Sequence, residues 1–318
     1  MNTCPITYEP CGEEKYTAAG LRRLSPKLTR LEDLPFTTQD LLREAAERSV
    51  KMSIQGVQPK LSAVLDVPNG RFALVDTGGR FILKPQTHFC EVPQNEDLTM
   101  RLAALSGIET PLHGLIYTKD GQLCYFIQRF DRGPRNLRLP QEDFAQLTAN
   151  DRETKYNFSM EKLVGVLDQY TTFPAREKAE LFRRMLFCYL TGNEDMHLKN
   201  FSLLTRQNVT GLAPAYDLLN STIVLSRPTE ELALPLRGKK SKFKREDLVD
   251  YYGGERLKLP SRALERVLTD LGKSLPGWES LIRRSFLSPD MKEHYFRVLE
   301  ARCRVLGLSF TPASARLK

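Results

Sequence analysis

Residues 191–204 read TGNEDMHLKNFSLL, with Asp195, His197, Lys199 and Asn200 inside six positions, directly ahead of an apolar run suited to a strand. A carboxylate can accept the proton of an attacking hydroxyl, and an amide oxygen five residues later can help hold a cation. That spacing suits in-line phosphoryl transfer. A second acid, Asp217 in APAYDLL, follows FSLLT and a turn, where it could supply a further metal oxygen. Mg²⁺ prefers oxygen donors and takes few from protein, so Asn200 and Asp217 with phosphates and water would suffice. With Asp195 as candidate base, His197 reads as a loop-bracing hydrogen-bonder and Lys199 as a cation that could steady a transferring phosphoryl group. Taken alone, the stretch also fits an ordinary polar helix terminus.

Phosphoryl transfer also needs groups that hold a nucleotide. SIQGVQPK, Ser53 to Lys60, precedes a strand and contains Gly56, so its backbone N–H groups could approach phosphate oxygens. Its single glycine matches neither GxGxxG nor the Walker pattern, and a plain turn is the alternative. Lys84 ends the apolar run RFILK. An ammonium aimed inward from such a strand needs an anionic partner, either Glu96 on the following helix or a phosphate; a lysine reaching out to water is the alternative. The order is the informative part: lysine-bearing strand, helix glutamate, Asp195 loop, then Asp217 beyond a hairpin.

The elements that must position these groups follow from the sequence texture. TTQDLLREAAERS, 37–49, has a Thr cap ahead of apolar positions at helical spacing. Between Leu61 and Lys84, three β-rich runs are separated by Pro-Asn-Gly and Gly-Gly turns, which predicts an antiparallel meander. A helix over about 94–105 and strands in GLIYT and LCYFIQRF follow. Beyond residue 140, helices are expected at 140–147, 159–169, 175–190, 260–272, 276–284 and 289–306, interrupted by a hairpin in the region 201–225. This predicts an α+β fold with a β-rich lobe over 1–130 and a helical lobe over 131–318, resembling a protein kinase in its two lobes.

Composition bounds the partners. The chain of 318 residues, 41% hydrophobic, can bury a sizeable core. No apolar run approaches the roughly 20 residues needed to span a bilayer, and the first residues lack the pattern of a signal peptide, so a cytoplasmic location is expected. Six cysteines without CxxC pairs read as reduced, packed thiols; a metal site built on Cys4 and Cys11 is the weaker alternative. The net charge of +8 favours an acidic partner without choosing one. The densest basic run, RGKKSKFKRED, reads as a solvated loop leading into a helix near Lys244 more readily than as a nucleic-acid patch.

Seven stretches in order, SIQGVQPK, FILKPQ, QNED, IQRFDR, LPQEDFAQL, GNEDMHLKNFSLL and YDLL, resemble the successive motifs of the HipA-like serine/threonine kinases of bacterial toxin–antitoxin systems. The resemblance implies ATP and Mg²⁺ as cofactors and an aminoacyl-tRNA synthetase as substrate. It implies Ser53 as an autophosphorylation site, with Ser53, Gly56, Val57, Gln58 and Lys60 around the phosphates and Lys84 as the ATP lysine. Gln128 and Phe130 would form the adenine-binding connection, Asp195 the catalytic base, with His197 and Lys199 beside it, and Asn200 and Asp217 the metal ligands. It also implies a HipB-like DNA-binding antitoxin, with DNA touched only indirectly. The kinase core starts almost at once, which resembles the shorter HipT type, where a separate HipS-like protein supplies an N-terminal subdomain. A small-molecule phosphotransferase of similar fold and a non-catalytic part of a repressor complex are the rival readings.

Overall fold

The structure, a computed structural model, describes residues 2–49, 58–133 and 137–312. Two compact units are built from interleaved segments. The first comprises Met1–Leu98, Pro111–Arg138 and Arg284–Leu287; the second comprises Thr99–Thr110, Leu139–Arg283 and Ser288–Lys318.

In the first unit, β1 (Asn2–Thr3) and β2 (Pro10–Gly12) make a short ribbon, followed by α1 (Ala18–Leu24) and α2 (Thr38–Ser49). Thr37 caps α2 as its sequence predicts: its hydroxyl accepts from the Asp40 N–H at 3.2 Å, and Asp40 accepts from the Thr37 N–H at 3.1 Å. Five strands then form an antiparallel sheet: β3 (Leu61–Asp66), β4 (Arg71–Leu74), β5 (Phe81–Lys84), β6 (His113–Tyr117) and β7 (Leu123–Gln128). The three runs between Leu61 and Lys84 are strands, but their order is β4-β3-β5-β7-β6. A simple meander would place β4 in the middle, whereas β3 lies there.

The physical reason is the return loop after β4. It crosses back along β3, where Val75 N–H donates to Ser62 C=O at 2.9 Å and Arg80 N–H to Ala63 C=O at 2.9 Å. Gly79 permits this crossing, because a Cβ there would stand 1.9 Å from Ser62 Oγ. The sheet buries Phe72, Phe81 and Phe126 together, with ring centroids 5.1, 5.4 and 6.3 Å apart. Gly114, opposite Phe126 on β6, makes room for that ring, since a Cβ would lie 2.7 Å from it. The helix α3 (Val92–Leu105) begins in this unit and ends in the second.

The second unit is mainly helical. The expected helix over 140–147 is a strand followed by a single turn: β8 (Gln141–Asp143) pairs with β9 (Ser202–Arg206), and Asp143 caps α4 (Phe144–Leu147) in a reciprocal box with Gln146. Pairing with β9, some sixty residues on, overrides the local helical spacing. A hairpin joins β9 to β10 (Val209–Leu212), completing a sheet of order β10-β9-β8. α5 (Met160–Tyr170), capped by Ser159, and α6 (Pro174–Leu190) precede the loop of interest. Glu246–Arg256 winds as a π-helix.

The two helices expected over 260–272 and 276–284 are one, α7 (Ser261–Arg284), with Pro276 inside it. An internal proline costs about 3 kcal/mol. The buried face through Leu271, Leu275, Trp278 and Ile282 more than offsets that cost, and Trp278 packs edge-on against Phe187 at 5.3 Å. α8 (Pro289–Leu306) is capped by Ser288 and closed by Gly307 in the left-handed region. Among the described residues no helix is long and apolar enough to cross a membrane.

Candidate active site

The candidate residues fall into two groups, one in each unit. In the first, Lys84 ends β5 with its side chain 2% exposed, and its ammonium donates to Glu96 of α3, itself 1% exposed. The Tyr125 ring lies 5.6 Å from the ammonium. Burying either charge alone would cost several kcal/mol, so the pair is mutually required. Gln128 closes β7 opposite Phe81, and its N–H donates to Leu112 C=O at 2.7 Å. Phe130 follows, half-buried, between Arg129 and Asp131. Arg129 grips Asp131 through two hydrogen bonds, at 2.9 and 2.7 Å, and Arg132 adds a third. Gln58 and Lys60 are half-buried ahead of β3. Ser53, Gly56 and Val57 lie outside the described residues.

The second group occupies the turn after α6. Asn193 Oδ1 accepts from the Asp195 N–H at 3.0 Å, and His197 N–H donates to Asp195 C=O at 2.8 Å. Asn200, buried in a 3₁₀ turn over Leu198–Asn200, donates its amide Nδ2 to that same carbonyl at 2.8 Å. The five-residue spacing thus closes a loop through the Asp195 backbone and leaves the Asp195 carboxylate outside it, 46% exposed. It also commits Asn200 Nδ2, so Oδ1 is the atom left for a cation. Asp217 adopts φ +55°, a left-handed conformation uncommon for a non-glycine residue and frequent where strain serves a site.

Beside Asp217, the half-buried Tyr216 donates its hydroxyl to Lys199 C=O at 2.8 Å and receives from Ser202 at 2.5 Å, and Gln141 donates to Ser202 at 2.8 Å. This chain ties the strand pair β8–β9 and the residue before Asp217 to the C-terminal end of the candidate loop. The Lys199 ammonium is paired with Asp143 at 2.9 Å. Lys155 donates to His197 Nε2 at 2.7 Å, which puts the imidazole proton on Nδ1. Nδ1 is buried with no hydrogen-bond partner among the described residues. Burial holds this imidazole below its ordinary pKa, aided by the Lys155 charge and opposed by Asp195 and Asp217, so it is neutral at pH 7.

The basic run is largely satisfied within the second unit. Arg237 meets Glu246 and Asp247 at 3.3 Å each, Lys239 meets Asp247 at 2.7 Å, and Lys240 meets Glu230 at 3.2 Å. The six thiols are free, and no group of three or more His, Cys, Asp or Glu gathers as a metal site among the described residues.

Sequence reasoning missed Tyr156, whose hydroxyl donates to Asp195 Oδ1, and Lys155 beside it. They sit about forty residues upstream in a segment with no helical or strand period, so no local signal marks them. The Asp143 partner of Lys199 was hidden likewise by the apparent helix.

Comparison with known proteins identifies the family and the fold. The HipA-like C-terminal domain family matches residues 52–278. A Haemophilus influenzae protein whose name includes the word kinase is 30% identical over 262 residues, 74% of each chain. The serine/threonine-protein kinase toxin HipA of Shewanella oneidensis is 26% identical over 287 residues, 81% of this chain and 64% of that protein. The solved complex of Shewanella oneidensis HipA with HipB and operator DNA superposes with a TM-score of 0.69 at 23% identity, over 92% of this chain and 75% of that one. The Helicobacter pylori proinflammatory kinase CtkA gives 0.52 at 15% identity, over 71% and 86%. The fold is the α+β fold of these kinases, and the chain belongs to the HipA-like family.

Proposed function

We propose that this chain is an ATP- and Mg²⁺-dependent serine/threonine protein kinase of the toxin type, and that it blocks translation by phosphorylating an aminoacyl-tRNA synthetase. The observation that carries the reading is the loop from Asp195 to Asn200: a half-exposed carboxylate whose backbone carbonyl is clamped by the candidate metal ligand. Asp195 would accept the proton of the acceptor hydroxyl as that oxygen attacks the γ-phosphorus and the bond to the ADP oxygen breaks. Lys84, held by Glu96, would meet nucleotide phosphates, and Gln128 and Phe130 would line the adenine.

The residues fit the cofactors. Asn200 Oδ1 and the Asp217 carboxylate are hard oxygen donors of the kind Mg²⁺ takes, and the N–H at His197 Nδ1 is a buried donor that a phosphate oxygen could satisfy. Bound Mg²⁺ would neutralise phosphate charge during transfer. The loop from Ser53 would cover those phosphates, with Gly56, Val57, Gln58 and Lys60. Phosphate on Ser53 would add about −1.5 to −2 charges there and weaken nucleotide binding. Intact mass and ATP affinity of the parent and Ser53→Ala after incubation with ATP and Mg²⁺ decide that point.

The Shewanella oneidensis relative assembles with HipB and operator DNA. A HipB-like antitoxin is therefore the partner we propose, with DNA reached through it. The internal pairing of the basic run supports this, since Arg237, Lys239 and Lys240 already have carboxylates. Weak, steeply salt-dependent binding to random duplex is expected of the isolated chain. Incubating the chain with γ-labelled ATP, Mg²⁺ and, in parallel, a panel of purified synthetases or a panel of small metabolites tests the enzymatic claim. Label on one synthetase supports it; label only on small metabolites would favour a small-molecule phosphotransferase.

A further inference from the structure

The segment just ahead of α5 touches the candidate catalytic loop at three successive points. Lys155 C=O accepts from the Leu198 N–H at 3.3 Å, the Lys155 ammonium donates to His197 Nε2 at 2.7 Å, and the Tyr156 hydroxyl donates to Asp195 Oδ1. The Tyr156 ring is pinned as well. It stands edge-on to His197 at 5.0 Å, and the ammoniums of Lys155 and Lys240 lie 4.9 and 5.7 Å from its centroid. Lys240 is itself anchored on Glu230. Tyr156 remains 37% exposed, with His197, Lys155 and Lys240 around its ring and Asp195 at its hydroxyl.

The consequence lies at the carboxylate. Asp195 Oδ1 is engaged by the phenol, whereas Oδ2 has no hydrogen-bond partner among the described residues and the side chain is 46% exposed. An aspartate in a turn otherwise swings about two side-chain torsions. One charge-assisted bond to a donor contacted by three neighbouring side chains restricts that freedom and favours one oxygen facing outward.

We propose that Tyr156 is the positioning residue of Asp195: it holds Oδ1 so that Oδ2 receives the acceptor hydroxyl's proton, an inference that rests on the kinase reading above. Tyr156 itself touches neither acceptor nor nucleotide in this account. The phenol keeps its proton throughout, because burial and the neighbouring Asp195 charge raise its pKa far above neutrality. The network also explains why Lys155 sits next in sequence: it holds the His197 imidazole, the ring on which Tyr156 rests.

Tyr156→Phe deletes one oxygen and keeps the ring contacts. With the synthetase found in the screen as acceptor, kcat should fall by about 10- to 100-fold, while KM for ATP and the melting temperature stay near parent values. A separate readout needs no nucleotide. In protein carrying ¹³Cζ-labelled tyrosine, the Tyr156 resonance, assigned by its absence from Tyr156→Phe, should shift when Asp195 is replaced by Ala, and more than any other tyrosine. A parent that transfers phosphate together with a Tyr156→Phe variant of equal kcat would overturn the positioning role and leave the kinase reading standing. A Tyr156 resonance indifferent to Asp195→Ala would overturn it too. A parent that transfers phosphate to nothing would remove the kinase reading, and this inference with it.

Discussion

Lys84 and Asp195 are both charged groups bonded to an ionisable or hydroxyl neighbour, yet their surroundings are opposite. Lys84 and Glu96 are sealed, with side chains 2% and 1% exposed; Asp195 is 46% exposed and engaged on one oxygen only. A sealed pair tolerates no loss of one member, because the survivor is stranded away from water. An open carboxylate braced from behind can lose its charge with little harm to the fold but cannot lose it and still take a proton. In the proposed reaction, the first place would tie function to stability, and the second would separate them.

The sharpest way to break this comparison is to strand a charge. Lys84→Met removes the cation facing the buried Glu96 carboxylate and should cost about 3–5 kcal/mol in denaturant unfolding, besides abolishing ATP binding. Lys84→Met with Glu96→Leu should recover most of the stability and none of the binding. If the single variant were as stable as the parent, the sealed-pair account would fail.

A smaller effect is expected at the partly covered pair of Lys199 and Asp143, whose side chains are 23% and 14% exposed. Lys199→Met should cost about 1–2 kcal/mol, since Asp143 keeps its capping bond from the Gln146 N–H. A loss as large as that of Lys84→Met would place this pair with the sealed one.

The smallest effect concerns pH. Burial pushes the Asp131 carboxyl up, but the Arg129 and Arg132 guanidiniums outweigh it and hold the group below the ordinary carboxylate range. A depressed folded pKa contributes stability that is present above the unfolded value, about 3.9, and is lost as pH falls below it. Asp131→Asn should therefore lower stability by roughly 1 kcal/mol at pH 7, discounted for partial exposure, with the difference shrinking below about pH 4. A difference independent of pH would mean that the ion pairs carry none of it.

Much of the first unit was legible because its signals are local. Pro-Asn-Gly and Gly-Gly mark the strand ends between Leu61 and Lys84, and a lysine in an apolar strand followed by a glutamate on a helix announces a buried pair. Strand order was not legible: it turns on Gly79 lying against Ser62, a contact that no run of residues displays. In the second unit, the closeness of Asp195 and Asn200 was readable because only five positions separate them. Tyr156 was not, since it reaches Asp195 across thirty-nine positions from a segment without period. The same limit hid β8, whose partner β9 lies far along the chain, and made Pro276 look like a helix end although the buried face of α7 runs past it.

The central claim is that the Asp195 carboxylate, presented by this loop, serves transfer of the ATP γ-phosphate to a protein. Phosphate incorporation from γ-labelled ATP into a synthetase should be compared for the parent and Asp195→Asn, with both melting temperatures measured in the same buffer. The account predicts a loss of about 10²- to 10⁴-fold in transfer, with melting temperatures within about 2 °C of each other. An Asp195→Asn protein that labels the synthetase as fast as the parent would contradict it.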